Sequence, residues 1–277
     1  MDMIHAGKMD WGANLASHRQ GEMAHKVLFE GEEGSPDNYL LVLAREGASY
    51  YSPRHRHAWD QVRFCLEGSV PIGKDLRLDA GEVGYFPEGV PYGPQEGGPD
   101  RIVLLLQFAG SGGQGYLSAA QLKAGHAALL AEGVFEGGVF RRAGGEGPRN
   151  TDAYEAIWRQ VTGRPIDYPK PRYKAPVIMR PEGFAWREAG PGARRRTLGV
   201  FPERGLELTV LGLDAGAAWD FPACDARRLV FVREGQGRCG EEACAAQSTL
   251  RIEPGETACF VAEAPTELFL IAAAPVA

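Results

Sequence analysis

Apolar residues along this chain fall into short runs rich in Val, Leu, Ile, Phe and Tyr, and Gly, Pro and Asp separate one run from the next. That pattern predicts β-strands with tight connections, the signature of an all-β sandwich or barrel. The runs place strands near 26–29, 38–45, 60–67, 75–78, 83–86 and 101–108, and again near 197–201, 206–213, 227–233, 248–252, 257–261 and 267–273. Between the two sets the period changes. Ser118 to Glu132 opens with a Ser-x-x-Gln capping box, spaces its leucines helically and stops before Gly133, which predicts a helix. A second helix is predicted over TDAYEAIWRQVTG, capped by Thr151 or Asp152 and ended by Gly163. The stretch PIDYPKPRYKAP that follows is too rich in proline for a regular helix or a central strand and reads as a crossing connector.

The two strand sets repeat one another. LRLDAGEVGYFPEGVPY (76–92) is answered by LRIEPGETACFVAEAPT (250–266), NYLLVLAREG by LELTVLGLDAG, and RFCLEG by LVFVREG, in the same order. Three matched blocks in one order imply an internal duplication. The offset between copies grows by about seven residues across the hairpin, which places an insertion in QGRCGEEACAAQST. The domain organisation expected is therefore a first barrel over 1–112, a helical and Pro-rich linker over 113–190, and a second barrel over 191–277.

Composition narrows the function classes. A formal charge of −6 spread over 277 residues, with Arg194-Arg195-Arg196 as the one basic cluster, does not resemble a nucleic-acid footprint. No apolar run approaches the ~20 residues that span a bilayer, and no secretory leader is visible, so a cytoplasmic location is expected, with no membrane partner. Five scattered cysteines form no CxxC pair and read mostly as small buried apolar residues.

Chemistry concentrates in GASYYSPRHRHAWDQVRFCLEG. If that segment is a strand, His55 and His57 point to one side while Arg54 and Arg56 point to the other. Gln61, Arg63 and Cys65 share a parity on the following strand. Two neutral imidazoles side by side suit Fe, Ni, Cu or Zn.

The segment resembles the first motif of the cupin superfamily, His-x-His, then Glu, then Gly, with His55, His57, Gln61 and Gly68 at those positions. Gly81, Pro87, Gly89 and Tyr92 match the second motif, with tyrosine where the family has its last histidine. The resemblance implies an all-β fold of two tandem cupin barrels, jelly-roll-like double-stranded β-helices, joined by the helical and Pro-rich linker. It implies a metal set of His55, His57, Gln61 and Tyr92 holding a divalent transition metal (Fe, Ni, Cu, Mn or Zn), with Tyr92 and Arg63 as catalytic candidates. Gln61 is neutral where the family has a carboxylate, and phenolic Tyr92 must ionise to ligate strongly, so this set binds more weakly than the family's. Gln61 and Tyr92 read equally well as pocket hydrogen-bonders, and Arg63 either clamps a substrate carboxylate or pairs with Asp60 or Glu67. In the second copy Pro222, Cys224, Arg228 and Thr266 take the aligned positions, a set that cannot bind a metal in this manner.

Three functions follow as expectations. The first is a metal-dependent oxygenase of the dioxygenase kind, acting on a small anionic or oxygen-bearing substrate in the first barrel. The second is a metal-dependent isomerase or lyase, and the third is a non-catalytic module that binds or senses a sugar or acid. A small molecule is the partner expected, and a homodimer is an assembly open to it. His126 reads as a solvated helix residue, and His5, His18 and His25 show no ligand spacing.

Overall fold

The computed structural model describes residues 1–16, 18–112 and 114–275. Strands dominate it, and the chain separates into two compact units, Trp11–Ile178 and Met1–Asp10 together with Met179–Ala277.

In the first unit antiparallel strands lie in the spatial order Val83–Phe86, Trp59–Glu67, Arg101–Ala109, Tyr39–Glu46 and Met23–Glu30. Period-two alternation turns Gln61 and Arg63, Val103, Leu105 and Gln107, Leu40, Val42, Ala44 and Glu46, and Met23 and His25 toward one cavity. Both predicted helices form. Helix α1 (Ala119–Leu129) carries the full Ser118–Gln121 capping box, and α2 (Ala153–Thr162) is capped by Asp152 and ended by left-handed Gly163 at φ 71°.

These helices are more than a linker. Ile157 and Trp158 of α2, Leu129 of α1, and Tyr116, Leu117 and Phe140 share one hydrophobic core with Leu40, Val42, Ala58 and Trp59 of the barrel. Full burial of each large apolar side chain there contributes about 1.5–3 kcal/mol, which ties the insert to the barrel. The proline-rich segment is fastened too, by Arg172 donating to the buried Glu88 carboxylate at 2.9 Å.

In the second unit the main sheet runs Asp2–His5, Ser248–Ile252, Arg227–Glu234, Thr266–Ala273, Leu206–Leu213, Ala193–Phe201 and Arg187–Gly190. Its first strand is the start of the chain, in register Asp2 to Arg251 through His5 to Ser248, so residues expected with the first barrel pair in the second. The inserted segment forms its own hairpin, Gln236–Cys239 with Glu242–Ala245.

The duplication is visible as register. Arg63 faces Leu105, which faces Val42; in the second unit Val230 faces Leu270, which faces Thr209. The glycine that ends each repeat block has a physical cause. Gly68 (φ 77°) and Gly235 (φ 88°) are left-handed, and a Cβ would stand 2.9 Å from Arg101 Cβ in one unit and 2.7 Å from Thr266 Cα in the other. Thr266 is therefore the counterpart of Arg101 at the head of the last strand, and not of Tyr92, whose position it takes in the sequence repeat. The segment from Pro87 to Asp100 is answered only by Val261 to Pro265, so the second barrel lacks the loop that carries Tyr92.

Candidate functional site

His55 and His57 sit in an extended connection between the strands Tyr51–Ser52 and Trp59–Glu67, not within a strand. Pro53 has no N–H to continue a ladder. The connection is instead held by an isolated bridge, His55 N–H to Tyr92 O at 3.0 Å and Tyr92 N–H to His55 O at 2.9 Å, and by Gly89 N–H donating to His57 O at 2.7 Å. The two cupin-like motifs thus fasten each other. Arg54 and Arg56 remain exposed, as the alternation implied.

The structure brings together all five residues singled out in the sequence. Tyr92 Oη lies 3.1 Å from His55 Nε2, 3.1 Å from His57 Nε2, 2.7 Å from an Arg63 terminal nitrogen and 3.3 Å from Gln61 Oε1. Arg63 also donates to Gln61 Oε1 at 3.0 and 3.3 Å, and its guanidinium lies over Phe86, 4.6 Å from the ring centre. Gln61 Nε2 is 2.8 Å from His57 Nδ1, and the two imidazole centres are 4.8 Å apart.

The chemistry of the partners assigns the protons. Arginine only donates, so the Gln61 atom facing it is the carbonyl and the amide N–H points at His57 Nδ1. His57 Nδ1 therefore accepts, and its proton is on Nε2, aimed at Tyr92 Oη. His55 Nδ1 faces the Pro53 carbonyl at 2.7 Å, which accepts only, so Nδ1 carries the proton and Nε2 accepts from the Tyr92 hydroxyl. Burial holds both imidazoles well below the usual histidine range, with Arg63 and Arg19 adding to the effect. Burial also raises the Tyr92 phenol, against the pull of Arg63 and Arg19. At neutral pH the cluster is two neutral imidazoles, a neutral phenol and a guanidinium.

Around this floor is a cavity of about 100 Å³, walled by Leu40, Val42, Val103, Leu105, Trp59 and Leu117. It is smaller than the ~150 Å³ engineered cavity that holds benzene, so it suits a small ligand. His18 Nδ1 and Gln95 Nε2 line it, are buried, and have no hydrogen-bond partner among the described residues. Two cavity charges are already neutralised, Arg19 by Asp152 at 3.0 Å and Glu46 by Arg101. Arg63, 7% exposed, has no carboxylate within ion-pair distance among the described residues. Asp60 is turned to the other face, where it accepts from Tyr85 and from the Glu88 backbone, and Glu67 is exposed, so neither pairs with Arg63.

His18, Arg19, His25, Glu46 and Gln95 line the cavity without having been singled out. Strand parity could have found His25 and Glu46, whereas His18 and Arg19 lie in an irregular stretch with no period to read. His126 is partly buried and stacks on Phe135 at 4.3 Å, away from the cavity.

The fit to a metal ion divides into two parts. Ligands at ~2.1 Å and right angles on one metal stand about 3 Å apart, and the contacts of Tyr92 Oη with both Nε2 atoms and with Gln61 Oε1 have that spacing. Protons and charge do not fit. His57 Nε2 carries a proton, Gln61 Oε1 is occupied by Arg63, and a guanidinium stands where a cation's ligands converge. Among the described residues no group of three or more His, Cys, Asp or Glu side chains is placed to hold a metal. The site as built does not fit a divalent cation.

No family model and no curated relative matches the sequence. Solved structures do. A candidate dioxygenase of Nostoc punctiforme superposes with a TM-score of 0.64 at 10% identity, over 99% of this chain and 83% of the other. Bacillus subtilis oxalate decarboxylase, described with Mn(II) centres, gives 0.59 at 12% identity over 99% and 78%, and Escherichia coli Ylba gives 0.58 at 9% over 98% and 89%. These likenesses establish the two-barrel cupin fold along nearly the whole chain.

Proposed function

From the two-barrel cupin fold and the chemistry of the first cavity, we propose that this protein binds a small organic acid in its first barrel, with the ligand's carboxylate as the counter-ion of Arg63. One observation carries the reading: a buried guanidinium faces a part-open cavity and has no carboxylate within ion-pair distance among the described residues. An unpaired buried charge is costly, and a bidentate carboxylate relieves that cost. Tyr92, Gln95 and His18 supply further polar contacts, and the apolar wall receives the rest of a short ligand.

Of the three functions expected from sequence, this is the binding or sensing module. Neutral histidines held far below their usual pKa are weak bases, and the phenol is held in its protonated form, so proton abstraction has poor support. A metal-dependent oxygenase remains the second reading. It is favoured by the ligand-like spacing around Tyr92 and by what the superposing proteins are described as doing.

Calorimetric titration of the metal-analysed protein with acetate, oxalate, malonate and succinate tests the proposal. Saturable binding by at least one of them, weakened about 10-fold or more in Arg63→Leu, is expected from losing a charge-assisted hydrogen-bonded pair worth ~1.5–3 kcal/mol. Absence of binding to all four, or equal binding by the variant, contradicts it.

A further inference from the structure

We propose that Arg63, acting through the Gln61 amide, locks His57 in its Nε2–H tautomer and thereby bars a divalent cation from the two-histidine site. The inference rests on the anion-binding reading of the same cavity and adds the device that makes it so.

The chain of contacts runs in one direction. Arg63 can only donate, so it fixes the Gln61 carbonyl toward itself at 3.0 and 3.3 Å. Gln61 must then offer N–H to His57 Nδ1 at 2.8 Å, which excludes a proton there and assigns it to Nε2. The Nε2 proton points at Tyr92 Oη, which already accepts from Arg63 and gives its own proton to His55 Nε2. Both imidazole nitrogens that would face a metal are thus engaged, one as a donor. Freeing His57 Nε2 requires a proton on Nδ1, and that proton would meet the Gln61 N–H. Turning the Gln61 amide would set its N–H against the guanidinium. Each escape places donor against donor in a buried site, where an unsatisfied donor is costly.

A carboxylate at position 61 would accept from His57 Nδ1–H and free Nε2, but it would also form an ion pair with Arg63 and leave the guanidinium in place. Both residues must change for the site to open. The second barrel shows what the ladder tolerates: the rung of Arg63 is Val230 there. An apolar side chain at this position is compatible with the fold.

Two measurements test the lock. Long-range ¹⁵N–¹H correlation of the imidazole rings in the wild-type protein should show His57 protonated at Nε2 and His55 at Nδ1; His57 protonated at Nδ1 overturns the proposal. Cobalt(II) titration followed by absorption should then show no uptake by the wild type. The Gln61→Glu/Arg63→Leu double variant should take up about one equivalent, lost again when His57→Ala is added. Wild-type uptake abolished by His57→Ala, or a double variant that melts cooperatively and takes no cobalt, overturns the lock. Should the double variant fail to fold, Arg63→Met alone serves, with His57 expected to lose its fixed tautomer; a tautomer unchanged in that variant overturns the lock as well. Carboxylate binding by the wild type is scored separately, so the anion site can stand while the lock fails, and the reverse.

Discussion

Arg63 in the first barrel and Val230 in the second occupy matching rungs of matching three-strand ladders, and the two interiors they face are opposite in kind. Around Val230 the second barrel is filled by Leu211, Leu213, Val232, Leu250, Phe260 and Leu268, all buried and apolar. Around Arg63 the first barrel keeps a cavity with a polar floor. Arg228, at the rung of Gln61, turns to the backbone carbonyls of Pro222 and Glu256 and meets no imidazole among the described residues. The loop that brings Tyr92 into the first barrel is missing from the second. One scaffold can therefore be a packed core or a site, depending on a few inward positions and on the length of one loop. Packing gives the second barrel stability, and the first gives up part of its packing for the polar groups that line its cavity.

Substitution in the packed barrel should have the largest effect and touch only one side of this contrast. Phe260→Ala is expected to cost about 3–5 kcal/mol in unfolding free energy, while the carboxylate affinity of the folded protein stays unchanged. A change in affinity would mean that the barrels do not divide their roles.

Acid should act through the first barrel. His25 titrates near 4 and His18 well below the usual value, both because of burial, and both bind protons more readily when unfolded. Their contribution is fully present above about pH 6.5 and is lost as the pH falls toward 4. Asp60 works in the opposite sense: burial raises it to about 6, so its protonated form is favoured in the fold and its contribution shrinks as pH rises from about 4 to 6. Histidine outnumbers it, since burial lowers His55 and His57 in the same way, and chemical denaturation should show a net loss of stability as the pH falls from 6.5 to 5. A flat profile would remove the buried histidines from the account.

Arg63→Leu should come next, weakening carboxylate binding by ~1.5–3 kcal/mol without lowering the melting temperature, since it exchanges an unpaired buried charge for packing of the kind Val230 supplies. The smallest effect expected is that of Tyr92→Phe. It leaves the His57 N–H and the His55 lone pair unsatisfied and should cost about 1–2 kcal/mol of stability, read as a lower denaturation midpoint at constant slope.

Much of this architecture was legible in the sequence because it rests on local rules. Runs such as Tyr39–Glu46 and Arg227–Glu234 announce themselves by composition, and the Ser118 and Asp152 caps by side-chain chemistry. What was hidden depends on contacts between distant residues. Asp2–His5 is too short to announce itself, and its partner strand lies at the far end of the chain. The helical insert looked like a linker because nothing in α2 states that Ile157 and Trp158 pack against Trp59. Among the site residues, all five from the motif converge. The proton logic that decides between metal and anion needs the direction of the Gln61 amide, and that is set by Arg63 across space.

The most direct test of the central claim is a calorimetric titration of one small dicarboxylate, malonate, into the untagged protein before and after exhaustive treatment with EDTA. The same affinity is expected in both samples, with a loss of about 10-fold or more in Arg63→Leu. Binding that disappears with EDTA and returns on adding a divalent metal would contradict it, and would make His55, His57, Gln61 and Tyr92 a metal site after all.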